Sequence, residues 1–242
     1  MRCDYSVLVV GAAVLIVPES EGLTTYDDVV NTVLYAQLAA NKKTELEPGV
    51  SWYDTYMKVL DGIWTWPVKA REDLSLPPES VESAVQWAAA AMSRVGADEG
   101  HVTAEVLSRI ANESDIDPAA NLLRSHMQKV SKEQSSEVPT PAMDIRLLVI
   151  VAPTPTSFSS VCIELKTNQL LSSNPLAHLY FGEDVQGIIS RRYVRAKLSE
   201  AVYAPVRDQI ALKIKDRIGT NVAKLTLHDD ACSTTEPGEV RS

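Results

Sequence analysis

The chain opens on a run without polar interruption, VLVVGAAVLIV from Val7 to Val17, in which β-branched Val and Ile dominate and Gly11 supplies a break. At about 11 residues it falls well short of the roughly 20 that cross a bilayer. It predicts a buried β-strand or short hairpin. From about 25 to 130 the apolar positions recur every three and four residues, the spacing of helices packed on one face. The first helix follows a capping box at Thr25 and Asp28 and buries Val30, Val33, Leu34 and Leu38. It ends in a polar cluster, Gln37, Asn41, Lys42 and Lys43, ahead of Glu47-Pro48-Gly49. Lysines there meet the negative end of the helix dipole, so the cluster reads as structural capping and not as a site.

A second helix, capped by Ser51 with Asp54, buries Trp52, Tyr56, Val59, Leu60 and Ile63. The period then lapses over 63–78, which reads as an extended, proline-bounded connection. A third helix begins near Glu79 with Val81, Val85, Ala88, Met92 and Val95 as its stripe and Gly96 in the place of a C′ glycine. TAEVLSRIA predicts a short fourth, and Asp117 before Pro118 is the N-cap and first position of a fifth.

Beyond the polar, proline-bearing stretch 131–143 the period changes. DIRLLVIVA, FSSVCIELKT and LAHLYFG read as three strands of an antiparallel meander, with another around 188–194. In the second strand Val161, Ile163 and Leu165 face the core while Cys162, Glu164 and Lys166 face away. Ser199 caps a long helix to about Ile218, with Val202, Val206, Ile210 and Ile214 buried and Gly219 closing it; NVAKLTL follows as a last strand. Helices first and strands afterwards argue α+β: an N-terminal helical half packed on a small, mostly antiparallel sheet with a long C-terminal helix. The expected division is a mainly helical 1–130 with its apolar strand or hairpin, a linker 131–143, a meander plus helix 144–228 and a polar tail 229–242. These form either two subdomains or one compact domain around a common apolar interior.

Composition narrows the function more than the fold. With 242 residues, 45% of them hydrophobic, the chain can bury a sizeable core. A formal charge of -9 argues against a nucleic-acid partner, whose phosphates demand Lys and Arg. Cys3, Cys162 and Cys232 are odd in number and far apart, so neither a disulfide framework nor a zinc site is indicated, and a reducing, cytoplasmic setting fits. Secretion stays open, because Arg2 before the apolar run outlines a signal peptide, although Asp4 and Pro18-Glu19 fit one poorly. On that view the sequon Asn112-Glu113-Ser114 would matter.

Three stretches carry a resemblance: VVNTVLYAQLAANKK followed by WYDTYMKVL, and LSEAVYAPVRDQIALKI far downstream. Together they resemble a family of uncharacterised bacterial and fungal proteins in which a helix like LLAQLAANK precedes a Trp-Tyr helix. In that family a β-rich second half closes with Y-x-x-V-R-x-x-I. The resemblance runs from about Tyr26 to Leu227 and implies helices joined to a small sheet; some members look host-directed or virulence-associated. Its motifs are packing patterns, so no catalytic residue carries over. This chain departs from the pattern in TWPVKAREDLSLPP.

No glycine-rich phosphate loop, G-x-S-x-G elbow or paired-histidine metal motif is present, so no cofactor and no metal are expected. A Ser-His-Asp arrangement assembled from distant segments stays open. Trp52, Tyr53, Tyr56, Trp64 and Trp66 are the densest aromatic group and the candidate walls of a pocket for a hydrophobic small molecule, with His178 as an acid or base. The preferred reading of these rings is as cement of the helical core. RRYVRAK offers Arg191, Arg192, Arg195 and Lys197 as contacts for an anionic membrane surface, a phosphate or an acidic protein partner, since eight Lys or Arg face three acidic residues between Arg191 and Arg217. Pairing within the molecule explains the same charges. Two functions follow: a soluble, non-catalytic binding or accessory protein, or a cofactor-independent isomerase, cyclase or hydrolase working in the aromatic pocket.

Overall fold

The computed structural model describes residues 5–113, 116–130, 142–169, 171 and 173–226. The initial apolar run folds into a hairpin, β1 (Tyr5–Val10) and β2 (Ala13–Pro18), turning at Gly11 with φ 58°. Helices α1 (Asp27–Leu46) and α2 (Trp52–Leu60) follow, and then β3 (Trp64–Leu74) and a short β4 (Val81–Ser83). Next come α3 (Ala84–Ser93), α4 (Ala97–Asn112) and α5 (Pro118–Met127), which runs directly into β5 (Gln128–Val130). The second half supplies β6 (Met143–Thr154), β7 (Ser157–Thr167), β8 (Leu179–Phe181) and β9 (Val185–Leu198). It closes with α6 (Glu200–Tyr203), α7 (Arg207–Asn221) and β10 (Val222–Leu225).

Among the described residues eight strands make one sheet in the order β10-β1-β2-β6-β7-β9-β3, with β5 also on β6. Every pairing is antiparallel except β2 with β6. The sheet is therefore large and mixed, where a small one was expected, and the difference has a clear cause. Its central strands are apolar at both parities. On β7, Val161, Ile163 and Leu165 join one core and Phe158 and Cys162 the other. Alternate residues point to opposite faces, so a strand apolar on both needs cover on both. One face is covered by α1, α2 and α7 and the other by α3, α4 and α5, giving three layers and two cores. Cys162, expected to face away, is 1% exposed under α2.

Other differences are local. The stretch 63–78, read as a connection, contains β3, an edge strand paired along β9 with a bulge between Thr65 and Val68. LAHLYFG contributes only β8, which pairs with β4 in a separate two-stranded ribbon. The long C-terminal helix breaks at Ala204–Val206 into a tight 3-10 turn around Pro205, whose ring removes an N–H donor, so Val202 is 52% exposed while Ile210 and Ile214 are buried on α7.

Caps show the same mixture. Ser51 accepts from the Asp54 N–H at 3.2 Å and Asp117 from the Ala120 N–H at 2.7 Å, as expected. Thr25 caps nothing; its hydroxyl donates to the Gly22 carbonyl at 2.7 Å in a 3-10 turn before α1. Ser83 with Gln86 forms the capping box of α3, and Gly96, with φ -170°, is the N-cap of α4 instead of a C′ glycine. Among the described residues no helix is long and apolar enough to cross a membrane. Cys3, Cys232, Ser114 of the sequon, 131–141 of the polar stretch and the tail from 227 lie outside the described residues.

Candidate functional site

Two devices fix the end of the sheet where a cleft opens. The first is the polar end of α1. Gln37, 3% exposed, reaches the β1–β2 turn, where its Nε2 donates to the Val10 carbonyl at 2.7 Å and its Oε1 accepts from the Ala12 N–H at 3.0 Å. Asn41 Oδ1 accepts from Trp52 Nε1 at 2.7 Å, which ties α1 to α2, and Lys43 pairs with Glu47. These contacts make the cluster structural, as the sequence suggested, with Gln37 acting on the sheet and not on the helix dipole.

The second device is a set of charges on one sheet face just beyond the apolar core. Antiparallel register puts Asp144 opposite Lys166 and Arg146 opposite Glu164. Arg146 Nε donates to Glu164 Oε1 at 2.9 Å, and the Arg146 guanidinium lies 3.9 Å over the Trp52 ring. Arg192 approaches Glu164 at 3.8 Å and Asp54 at 3.4 Å while lying 4.7 Å over Tyr53. The Arg146, Glu164 and Arg192 side chains are 21%, 23% and 14% exposed, so the pull of Glu164 on the two cations is screened less than that of surface pairs, whereas Asp54 is a surface partner at 74%.

Between that floor and the α1–α2 connection lies a cleft of about 620 Å³, the size of a small-molecule site. Pro48, Val50, Trp52 and Ile188 give it apolar walls, and Arg146, Glu164, Lys166 and Ser190 form its polar floor. His126, at the end of α5, also lines it. Burial, and secondarily the Lys129 charge, holds the imidazole below its usual 6.5, so it is neutral at pH 7.

The aromatic residues proposed from sequence gather on one face of the sheet, and of them Trp52 lines this cleft while Tyr53, Tyr56, Trp64 and Trp66 do not. Trp52 is 5% exposed, with Tyr56 stacked on it at 5.2 Å and Arg146 over it, so its ring faces are occupied. Tyr53 packs on Tyr56 at 6.1 Å, and burial pushes both hydroxyls up. Trp64 packs edge-on to Phe158 at 4.6 Å and donates to Thr32 at 3.2 Å. Trp66 donates to Asp61 and carries Lys69 5.0 Å above its ring. His178 lies on the other side of the sheet, edge-on to Tyr180 at 4.9 Å, and burial lowers its pKa. The structure therefore does not bring His178 to the aromatic group.

The basic strand is largely engaged within the molecule. Arg191, 8% exposed, pairs with Glu72 at 2.9 Å; Arg192 joins the network above; and Arg195 donates to the Val95 carbonyl at 2.7 Å. Lys197 is exposed. Arg146, Glu164, Lys166 and His126 had no place among the sequence candidates. A signal existed: D-x-R in β6 and E-x-K in β7 put two opposite charges on one face of each strand, and an antiparallel pair aligns them.

No family model matches the chain, and no curated protein matches it. Among solved structures, a delta-endotoxin is 6% identical with a TM-score of 0.41, over 78% of this chain and 83% of its own. The Evf virulence factor is 11% identical with a TM-score of 0.33, over 93% of this chain and 88% of its own.

Proposed function

We propose that this chain is a binding protein whose ligand seats in the cleft between the α1–α2 connection and the exposed ends of β6, β7 and β9. One observation carries the reading: about 620 Å³ of space lined both by apolar Pro48, Val50 and Ile188 and by a network of opposite charges. Such a lining favours a ligand with both an apolar part and an ionised group. A non-catalytic role is preferred over the cofactor-independent enzyme because the aromatic group is packed face to face and edge to face, with His178 on the opposite side of the sheet. Internal engagement of Arg191, Arg192 and Arg195 argues for a structural role of RRYVRAK over contact with an anionic surface. A host-directed accessory role, which the sequence resemblance implies, is compatible with a binder of this kind.

The test is a small-molecule thermal-shift screen run in parallel on the wild type and on Ile188→Trp, which fills the cleft from a position already 45% exposed. Ligands of the cleft raise the Tm of the wild type and not of the variant. Hits that stabilise both proteins equally refute the assignment.

A further inference from the structure

Two donors on β9, one in the cleft lining and one just beyond it, go unanswered among the described residues. Ser190 Oγ, in the cleft lining, and Arg192 Nε, two residues along the same strand face, are both buried without a hydrogen-bond partner among the described residues. Burying an unsatisfied donor costs about 1–3 kcal/mol, so such groups call for an explanation. A guanidinium has no acceptor, and only an oxygen or another lone pair can satisfy its N–H. Nearby carboxylates do not supply one. Glu164 Oε1 is held by Arg146 at 2.9 Å, and the Arg192 contacts to Asp54 and Glu164 go through Nη1 and are long, at 3.4 and 3.8 Å. Lys129 and Lys166 line the same space, one on each strand flanking β6. Glu45, Asp144 and Glu164 line it too and offset those cations, so a bare inorganic anion gains little from the field alone.

Resting on the binding role assigned to this cleft, we propose that its ligand is a small amphiphile with an oxyanion head, a carboxylate or a phosphate ester. Its oxygens accept hydrogen bonds from Ser190 and Arg192, and its hydrocarbon part lies against Pro48, Val50 and Ile188. The head answers the two orphaned donors. The apolar part supplies the affinity that a charge-balanced floor cannot.

Isothermal titration of the whole chain with octanoate, octyl phosphate, octylammonium and octanol tests this, each also against Ser190→Ala, Arg192→Lys and Ile188→Trp. The expected result is that octanoate, octyl phosphate or both bind at least ten-fold tighter than octylammonium and octanol; which of the two binds identifies the head group. Loss of one such hydrogen bond weakens the oxyanion about five-fold or more in Ser190→Ala or Arg192→Lys, leaves octanol unchanged, and should be matched by complete loss in Ile188→Trp. Ser190→Ala removes a partnerless hydroxyl and so keeps the fold if Arg192→Lys does not. Equal or tighter binding of octylammonium, or oxyanion binding unaffected by both polar substitutions, overturns the oxyanion assignment while leaving a ligand cleft in place. Absence of binding by all four probes overturns both.

Discussion

Gln37 offers the sharpest quantitative test of how α1 and the sheet depend on each other. Its amide closes the β1–β2 turn with a 2.7 Å bond to the Val10 carbonyl and a 3.0 Å bond from the Ala12 N–H, at a site where Gln37 is 3% exposed and Val10 and Ala12 are 0% and 5%. Gln37→Leu keeps most of the volume and leaves one buried carbonyl and one buried N–H each short of the bond that Gln37 supplies. At about 1–3 kcal/mol for each such group, the loss is about 2–6 kcal/mol, a large share of a stability of about 5–15 kcal/mol. Gln37→Glu can still accept from Ala12 but cannot donate to Val10 when ionised, so it also strands the carbonyl and buries a charge. Gly11 enters the same test. Its φ of 58° and a distance of 2.7 Å from a built Cβ to Gln37 Oε1 make Gly11→Ala costly on two counts, and only the second is relieved when Gln37 is also shortened. Urea unfolding monitored by circular dichroism gives the numbers, with equal m-values showing that the unfolded states are comparable. A Gln37→Leu protein within 0.5 kcal/mol of wild type would falsify the claim that this side chain satisfies the turn.

Glu72→Ala removes the carboxylate that faces Arg191, whose side chain is 9% exposed, and should cost about 3 kcal/mol by denaturation; a loss below 1 kcal/mol would show that water reaches the guanidinium. Asp117→Ala deletes the N-cap bond of α5 and should cost about 1 kcal/mol, with no change in m-value, whereas an exposed control such as Gln209→Ala on α7 should change little. His126 and His178 are both held below 6.5 by burial, so the unfolded chain binds more protons than the folded one as pH falls below 6.5. Their contribution is fully present above that value and is lost as pH drops through the lowered folded pKa values, and the double variant His126→Gln, His178→Gln should flatten stability against pH below 6.5. An unchanged slope in that variant would assign the acid sensitivity to carboxylates.

Most individual elements were legible because their signals are local. Alternation and β-branching gave β6 and β7, and Asp117-Pro118 gave the start of α5. What failed were judgements needing knowledge of what covers a strand. The second parity of β7 ends in Glu164 and Lys166, which look like solvent residues, yet Phe158 and Cys162 on that parity lie in the core under α2. Likewise β3 carries Lys69, Arg71, Glu72 and Asp73 and two tryptophans without clean alternation, because as an edge strand it meets β9 on one side only. The candidate site was hidden for a third reason. Asp144 and Lys166 are 22 residues apart in sequence but opposite in register, and pairing partners are fixed by tertiary structure and not by spacing.

The pairing of β10 with β1 sets a condition on how this molecule can be made. During synthesis the first hairpin emerges with an unsatisfied backbone edge, and β6, the neighbour of β2, is more than a hundred residues behind it. Translation must run more than two hundred residues past β1 before β10 can seal that edge. Polypeptides cut short ahead of Val222 should therefore be captured by chaperones or precipitate, and pulse-labelled nascent chains would show protease resistance arriving late and all at once.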